Sequence, residues 1–153
     1  MSECALFPKR EYRRAEVLPE LRDTARRGGG QVTGFWPQFP EVRDMLDGTW
    51  VLTRGMAYRS TEREFFIPAG FRCDMGSVPE VVDWIIPACA TKADPAYILH
   101  DFLYGQHRGG GIKLSRLEVD LIFRQALIDC GVSKARTAAI YWAVRAFGWR
   151  YWD

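Results

Sequence analysis

The sequence predicts an α+β protein, in which a small antiparallel β meander precedes about three helices. Two observations predict this order. Short runs rich in Trp, Val, Tyr, Phe and Ile occupy residues 49–68, and turn-type residues separate them. From residue 94 onward, apolar residues recur at intervals of three and four, which is the spacing of a buried helix face. With 153 residues, of which 48% are hydrophobic, the chain suits one domain with one core.

Residues 1–47 are predicted to form a polar leader and connector, and residues 48–153 to form a single globular domain. The leader mixes basic with acidic residues and ends in three glycines, which leave the backbone unrestricted. A short helix is predicted over residues 15–27. The aromatic and proline-rich stretch "FWPQFPEV" at 35–42 is predicted to be an extended connector that packs on the domain.

Three strands are predicted within the domain, at residues 49–53, 56–60 and 64–68. The stretch "IPAGF" ends this sheet. The next stretch, "RCDMGSVP" at 72–79, is predicted to be a loop because Gly, Ser and Pro fall close together in it.

Capping signals set the predicted helix boundaries. Asp94 followed by Pro95 predicts a helix start with Asp94 as the N-cap, and this helix should run to about residue 106, before "RGGGIK". Ser115 and Glu118 form a capping box that opens the second helix.

Gly131 is predicted to end the second helix, and Ser133 to cap a third. The second helix should bury Val119, Ile122, Phe123, Ala126 and Leu127. The third should bury Ala135, Ala138, Ala139, Trp142 and Phe147.

Composition gives no strong indication of a nucleic-acid or membrane-bound protein. The formal net charge is +2, which is small for either partner. No stretch approaches the ~18 apolar residues of a membrane span, and no signal peptide is apparent, so a cytoplasmic location is expected. The four cysteines lack C-x-x-C spacing, which disfavours a zinc site. Free thiols are expected in a reducing compartment, and a Cys73–Cys89 bridge would be possible in an oxidising one.

The stretch "PAYILHDFLY" at 95–104 places two ionisable residues in an apolar helix. His100 and Tyr104 are four residues apart and share a face, and Asp101 lies about 100° around the helix from His100. A buried charge needs a partner or a metal. If the first two helices pack antiparallel through their short connector, Asp120 comes within reach of His100.

These residue types indicate acid–base chemistry. A histidine oriented by a carboxylate is a general base that deprotonates water near neutral pH. Asp101, together with Asp74 in the loop, would offer oxygen ligands to a hard cation such as calcium, which would polarise an ester carbonyl. Ser77 is a further candidate in the same loop. Arg145 could pair with a buried aspartate or meet a phosphate.

A structural interpretation uses the same residues. A His–Asp pair between helices can be a hydrogen-bonded network that only fixes their packing. Asp74 could cap its loop, with Ser77 bonded to a nearby backbone N–H. His107, beside "RGGG", is predicted to be exposed. A cell-wall hydrolase with another metal is a third possibility, although one histidine ligand is fewer than zinc usually takes.

Four segments resemble the bacterial and tailed-phage family of unknown function numbered 1353: "IPAGFRCDMGSVP", "AYILHDFLY", "SRLEVDLIFRQAL" and "AVRAFGWRYW". They occur in the family's order and cover about residues 48–152. The resemblance implies a phage- or prophage-encoded protein, located in the host cytoplasm or in the virion. It implies no established activity.

The central helices also resemble phospholipase A2 of the prokaryotic type, in which a helix bears H-D-x-x-Y. That resemblance implies that His100 activates water, Asp101 binds calcium and Tyr104 supports the pair. It assigns to Asp120 the carboxylate that orients the histidine. The cysteine-paired, glycine-rich calcium loop of that family is absent, so "RCDMGSVP" would have to replace it.

Two function classes follow. The first is a hydrolase that acts on a lipid or another acyl ester through His100 and Asp120. The second is a non-enzymatic virion, assembly or host-interaction protein of a phage, in which the network is structural. Its binding surfaces would be the aromatic stretches "FWPQF" and "FGWRYWD" and the basic leader, and its partner a phage or host protein.

Overall fold

The computed structural model describes residues 33–74 and 92–152. Short strands occupy the first range, and helices occupy the second. The strands are β1 (Gly34–Trp36), β2 (Val42–Asp44), β3 (Trp50–Leu52), β4 (Met56–Arg59), β5 (Glu64–Ile67) and β6 (Arg72–Cys73). The helices are α1 (Asp94–Arg108), α2 (Arg116–Asp129), α3 (Lys134–Phe147) and α4 (Trp149–Trp152). This order confirms the predicted α+β class, with small antiparallel sheets followed by three main helices.

The strands form two antiparallel sheets of three strands each, in the orders β1-β4-β5 and β2-β3-β6. The predicted strands correspond to β3, β4 and β5, but β3 lies in the other sheet from β4 and β5. Strands β1 and β2 come from residues predicted as an extended connector, and β6 from the predicted loop. Each has only two or three residues, which is too short to show the alternation that predicts a strand.

One hydrogen-bonded tyrosine joins the first sheet to the helices. The Tyr58 side chain on β4 is fully buried, and its hydroxyl donates to Asp129 Oδ2 at 2.8 Å. Burial raises the pKa of Tyr58, and the Asp129 carboxylate raises it further. Asp129 Oδ1 also accepts from Thr33 and from Gln125, at 3.1 and 3.0 Å. The last residue of α2 therefore fixes the position of the sheet.

The capping signals were accurate to within one residue. Ser115 accepts from the Glu118 backbone N–H and the Glu118 side chain accepts in return, which confirms the capping box. Ser133 caps α3 by accepting from Arg136 N–H. At α1 the N-cap is Ala93 rather than Asp94, so Asp94 opens the first turn instead.

The buried face of α2 was predicted well, and that of α3 was not. Val119, Phe123, Ala126 and Leu127 are buried, and Ile122 is half-buried. On α3, however, the fully buried residues are Thr137 and Ile140, whereas Ala135, Ala138 and Trp142 are exposed. Apolar residues surround most of α3, so its composition did not show which side faces the core.

Several predicted features lie outside the described residues: the helix over 15–27, Ser77 and Cys89. The Cys73–Cys89 bridge therefore stays a prediction. Cys73 itself is buried, with its Sγ 3.7 Å from the Trp50 carbonyl oxygen. Among the helices described, none is long and apolar enough to cross a membrane.

Gly148, the C-cap of α3, lies too close to its neighbours to carry a side chain. A Cβ there would lie 2.6 Å from the Val144 carbonyl oxygen and 2.9 Å from the Tyr104 hydroxyl. We expect Gly148→Ala to lower the free energy of unfolding by about 1–3 kcal/mol, because the backbone or Tyr104 must move. Denaturant titration measures this change.

Gly105→Ala is the matched control. Gly105 lies inside α1, and a Cβ there would meet nothing within 4 Å. This substitution should raise the free energy of unfolding by roughly 0.5–1 kcal/mol, because alanine favours a helix over glycine. Equal effects of the two substitutions would contradict the close approach at Gly148.

Candidate functional site

Helices α1 and α2 meet along a face that carries His100, Tyr104 and Asp120. Tyr97 contacts Phe123 with ring centroids 5.5 Å apart, while Tyr104, two turns later, contacts Asp120. Rising residue numbers on α1 therefore meet falling numbers on α2, so the two helices run in opposite directions. This is the packing that the short connector predicted.

Three donors share the Asp120 carboxylate. His100 Nε2 lies 3.1 Å from Oδ1, and the Tyr104 hydroxyl donates to the same oxygen at 2.8 Å. Arg145 Nη1 on α3 donates to Oδ2 at 2.7 Å. The Asp120 side chain is 0% exposed. The structure thus brings together four residues that the sequence had singled out, and it assigns Arg145 to the aspartate pairing.

The hydrogen bonds keep the buried carboxylate ionised. Burial raises the pKa of Asp120, but the hydrogen bonds from His100, Arg145 and Tyr104 outweigh it, and the pKa lies below its usual value. The same hydrogen bond raises the pKa of Arg145. Burial, with the Asp120 carboxylate, also raises the pKa of Tyr104, so its hydroxyl remains a donor.

His100 lies between aromatic rings and is neutral near pH 7. Its ring centroid is 4.2 Å from that of Tyr104 and 4.4 Å from that of Phe123, and its side chain is 12% exposed. Burial lowers the pKa of His100, and the opposing effect of Asp120 is smaller. A neutral ring that donates Nε2–H to a carboxylate keeps the lone pair of Nδ1 for accepting a proton.

The C-terminal helix covers one side of this site. Trp152 on α4 contacts Tyr104 edge to face, with ring centroids 5.0 Å apart. Trp152 also stacks on His107, at 3.7 Å between centroids. The prediction that His107 is exposed is wrong, because this stacking leaves the side chain half-buried.

Arg116 is a site residue for which the sequence suggested no role. Its Nη2 donates to the Arg145 carbonyl oxygen at 3.3 Å, so it supports the helix that carries the Asp120 partner. Its Nη1 is buried and has no hydrogen-bond partner in the structure. The spacing R-x-x-x-D, which sets Arg116 one turn before Asp120, was the available signal.

The structure describes both aspartates that are predicted to bind calcium. Asp101 is half-buried on α1, and exposed Asp74 follows β6, a strand that contacts α1. Ser77 lies outside the described residues. Within the described ranges, no three His, Cys, Asp or Glu side chains come together as metal ligands. Calcium binding therefore stays a prediction.

Comparison with known proteins identifies one family. A family model described as "Protein of unknown function (DUF1353)" matches residues 50–144, which is more than half of the chain. His100, Tyr104 and Asp120 lie inside the match, and Arg145 is the first residue after it. No curated protein and no solved structure matches the chain.

Asp120→Ala tests the shared carboxylate. It removes the acceptor of three donors and leaves the Arg145 charge, 24% exposed, without its partner. We expect the free energy of unfolding to fall by about 3 kcal/mol, as for broken buried ion pairs. Asp47→Ala is the control, because exposed Asp47 also accepts from Thr49 and Arg72. It should cost much less, and a similar loss from both would contradict the assignment.

The lowered pKa of His100 predicts a pH dependence of stability. Because the unfolded chain binds the proton more readily, the free energy of unfolding should fall as pH drops below about 6.5, the usual histidine value. His100→Gln cannot titrate, so its melting temperature should change less between pH 7.5 and 5 in EDTA-containing buffer. His107→Gln leaves the His100–Asp120 pair intact and should retain the pH dependence that His100 contributes. Equal slopes for all three proteins would contradict a depressed pKa.

Proposed function

The chain belongs to the DUF1353 family of proteins of unknown function, and we propose that it is a hydrolase that cleaves a lipid or another acyl ester. The observation that carries the proposal is the contact between His100 Nε2 and the buried Asp120 carboxylate. This contact orients a neutral imidazole and leaves its second nitrogen for a water molecule. The proposal also uses the resemblance of the H-D-x-x-Y helix to phospholipase A2.

The proposed reaction is a general-base hydrolysis. Nδ1 of His100 takes a proton from water as the water oxygen attacks the acyl carbon, and the carbonyl π electrons move to the carbonyl oxygen. The tetrahedral intermediate then re-forms the carbonyl and breaks the bond to the ester oxygen. The imidazolium returns its proton to that leaving oxygen. The products are a carboxylic acid and an alcohol, and the histidine is neutral again.

The groups around Asp120 match this cycle. The carboxylate holds the ring with Nε2 protonated and stabilises the imidazolium while it exists. Arg145 and Tyr104 hold the carboxylate in place by two further hydrogen bonds. Because burial lowers the pKa of His100, the ring is in its basic form at neutral pH.

We assign calcium, as a proposed cofactor, to Asp101 and Asp74. Their carboxylate oxygens are ligands that calcium accepts, and Asp101 directly follows the proposed base. A bound calcium ion would polarise the ester carbonyl and stabilise the developing oxyanion. The resemblance to phospholipase A2 supports Asp101 in this role, and the family resemblance supports a phage or prophage origin.

The alternative is a non-enzymatic phage protein. One observation favours it: Asp120 is fully satisfied by donors from α1 and α3, so the network joins three helices without any ligand. In that case, exposed aromatic side chains such as Phe39 and Trp149 would contact a phage or host partner. The virion or the host cytoplasm would then be the site of action.

Hydrolysis of 4-nitrophenyl esters and of phospholipid vesicles tests the proposal. His100→Gln should reduce the rate by at least ~100-fold, as expected for loss of a general base. His107→Gln should retain the wild-type rate. Asp101→Asn should remove the difference between calcium-containing and EDTA-containing buffer. An unchanged rate in His100→Gln, or no hydrolysis by the wild-type protein, would refute the hydrolase and favour the structural role.

A further inference from the structure

The C-terminal helices carry an exposed aromatic surface that the site does not use. Trp142, Trp149 and Tyr151 are 68%, 55% and 45% exposed. Gly148 between α3 and α4 has helical dihedral angles of −65° and −15°, so the chain continues with little change of direction. Trp149 therefore lies two helical turns after Trp142 on the same side. We name Trp142, Trp149 and Arg150 the aromatic face; Tyr151, two residues after Trp149, lies on the opposite side of the helix.

The aromatic face is set in a cationic part of the chain. Residues 134–152 contain no Asp or Glu and four basic residues, of which Arg145 is paired with Asp120 and three others remain. Asp129 and Asp153 are the nearest carboxylates in sequence. Arg150 lies over the Trp149 ring, 5.4 Å from its centroid. Arg108 reaches from α1 to donate to the Tyr151 carbonyl oxygen. An anionic surface is the complementary partner.

The size of the face favours a lipid surface over a protein. An aromatic side chain buries roughly 150–250 Å² when fully covered, so the two half-exposed Trp rings offer on the order of 250 Å². A stable protein interface needs about 800 Å² from each partner. A few Trp and Tyr anchors beside arginines are sufficient at a membrane, where the rings lie among headgroups and the cations meet phosphates.

We propose that the aromatic face binds the surface of membranes that contain anionic phospholipids. Trp142 and Trp149 would enter the headgroup region, and Arg150 would contact lipid phosphates. This binding goes beyond the proposed hydrolysis and does not depend on it. The aromatic face and the proposed hydrolytic site are adjacent in the structure, because Trp152 of the same short helix contacts Tyr104.

Vesicle co-sedimentation tests this binding. The wild-type protein should sediment with vesicles of phosphatidylglycerol and phosphatidylcholine, and much less with phosphatidylcholine alone. Replacing both Trp142 and Trp149 by Ser should reduce the partition coefficient at least about tenfold. Arg150→Gln should reduce it about fivefold and weaken its salt dependence. Melting temperatures near that of the wild-type protein would show that the exposed substitutions leave the fold intact.

Phe39→Ser is the matched control, because Phe39 is 66% exposed but lies between β1 and β2, outside the aromatic face. It should keep wild-type binding within about twofold. Three results would overturn the proposal: no binding of the wild-type protein, equal binding to both vesicle types, or equal loss in the control. A wild-type dimer that the Trp substitutions convert to a monomer would also overturn it, and would assign the face to a second copy of the chain.

These experiments distinguish a failure of membrane binding from a failure of ester hydrolysis. Hydrolysis of a soluble 4-nitrophenyl ester that persists in the double Trp variant, together with lost vesicle binding, supports a distinct membrane face. Vesicle binding that persists in His100→Gln supports it as well. Wild-type binding without any hydrolysis would overturn the proposed hydrolase and leave the membrane face supported.

Discussion

A buried aspartate that stays ionised is the constraint on which the helical part of this protein depends. Asp120 has no contact with solvent, so its charge must be balanced by donors inside the fold. His100 and Tyr104 reach it from α1, and Arg145 reaches it from α3. Any shift of either helix would lengthen one of these contacts. The register of three helices is therefore coupled to one carboxylate.

The same carboxylate determines what His100 can do. Its Oδ1 accepts from both His100 and Tyr104, while the charge is largely offset by Arg145 at Oδ2. Burial of the His100 ring disfavours its charged form, and this effect exceeds the opposing effect of the Asp120 carboxylate. The pKa of His100 is consequently depressed, although a negative charge lies 3.1 Å away. This combination gives a neutral base with a defined orientation.

The sequence predicted those features that depend on residues close together in the chain. The capping box at Ser115 and the shared face of His100 and Tyr104 follow from spacing alone. The contact of His100 with Asp120 follows from one further assumption, that α1 and α2 pack antiparallel. Contacts between distant segments were missed, such as that of Tyr58 with Asp129, because no local pattern marks them. The exposure of Trp142 was missed for a related reason, since α3 is apolar on more than one side.

Trp142 is exposed and Trp152 is half-buried, so the last two helices face both solvent and the Asp120 network. Trp152 packs on Tyr104 and His107, and so encloses the side of the Asp120 network, while Trp149 and Tyr151 of the same four-residue helix point away from it. Gly148 permits this arrangement because it lets α4 begin within reach of the Tyr104 hydroxyl. A ligand that orders the outer residues of α4 would therefore also restrict Trp152, and through it Tyr104. In this way, binding at the aromatic face would be coupled to the site by one side-chain contact.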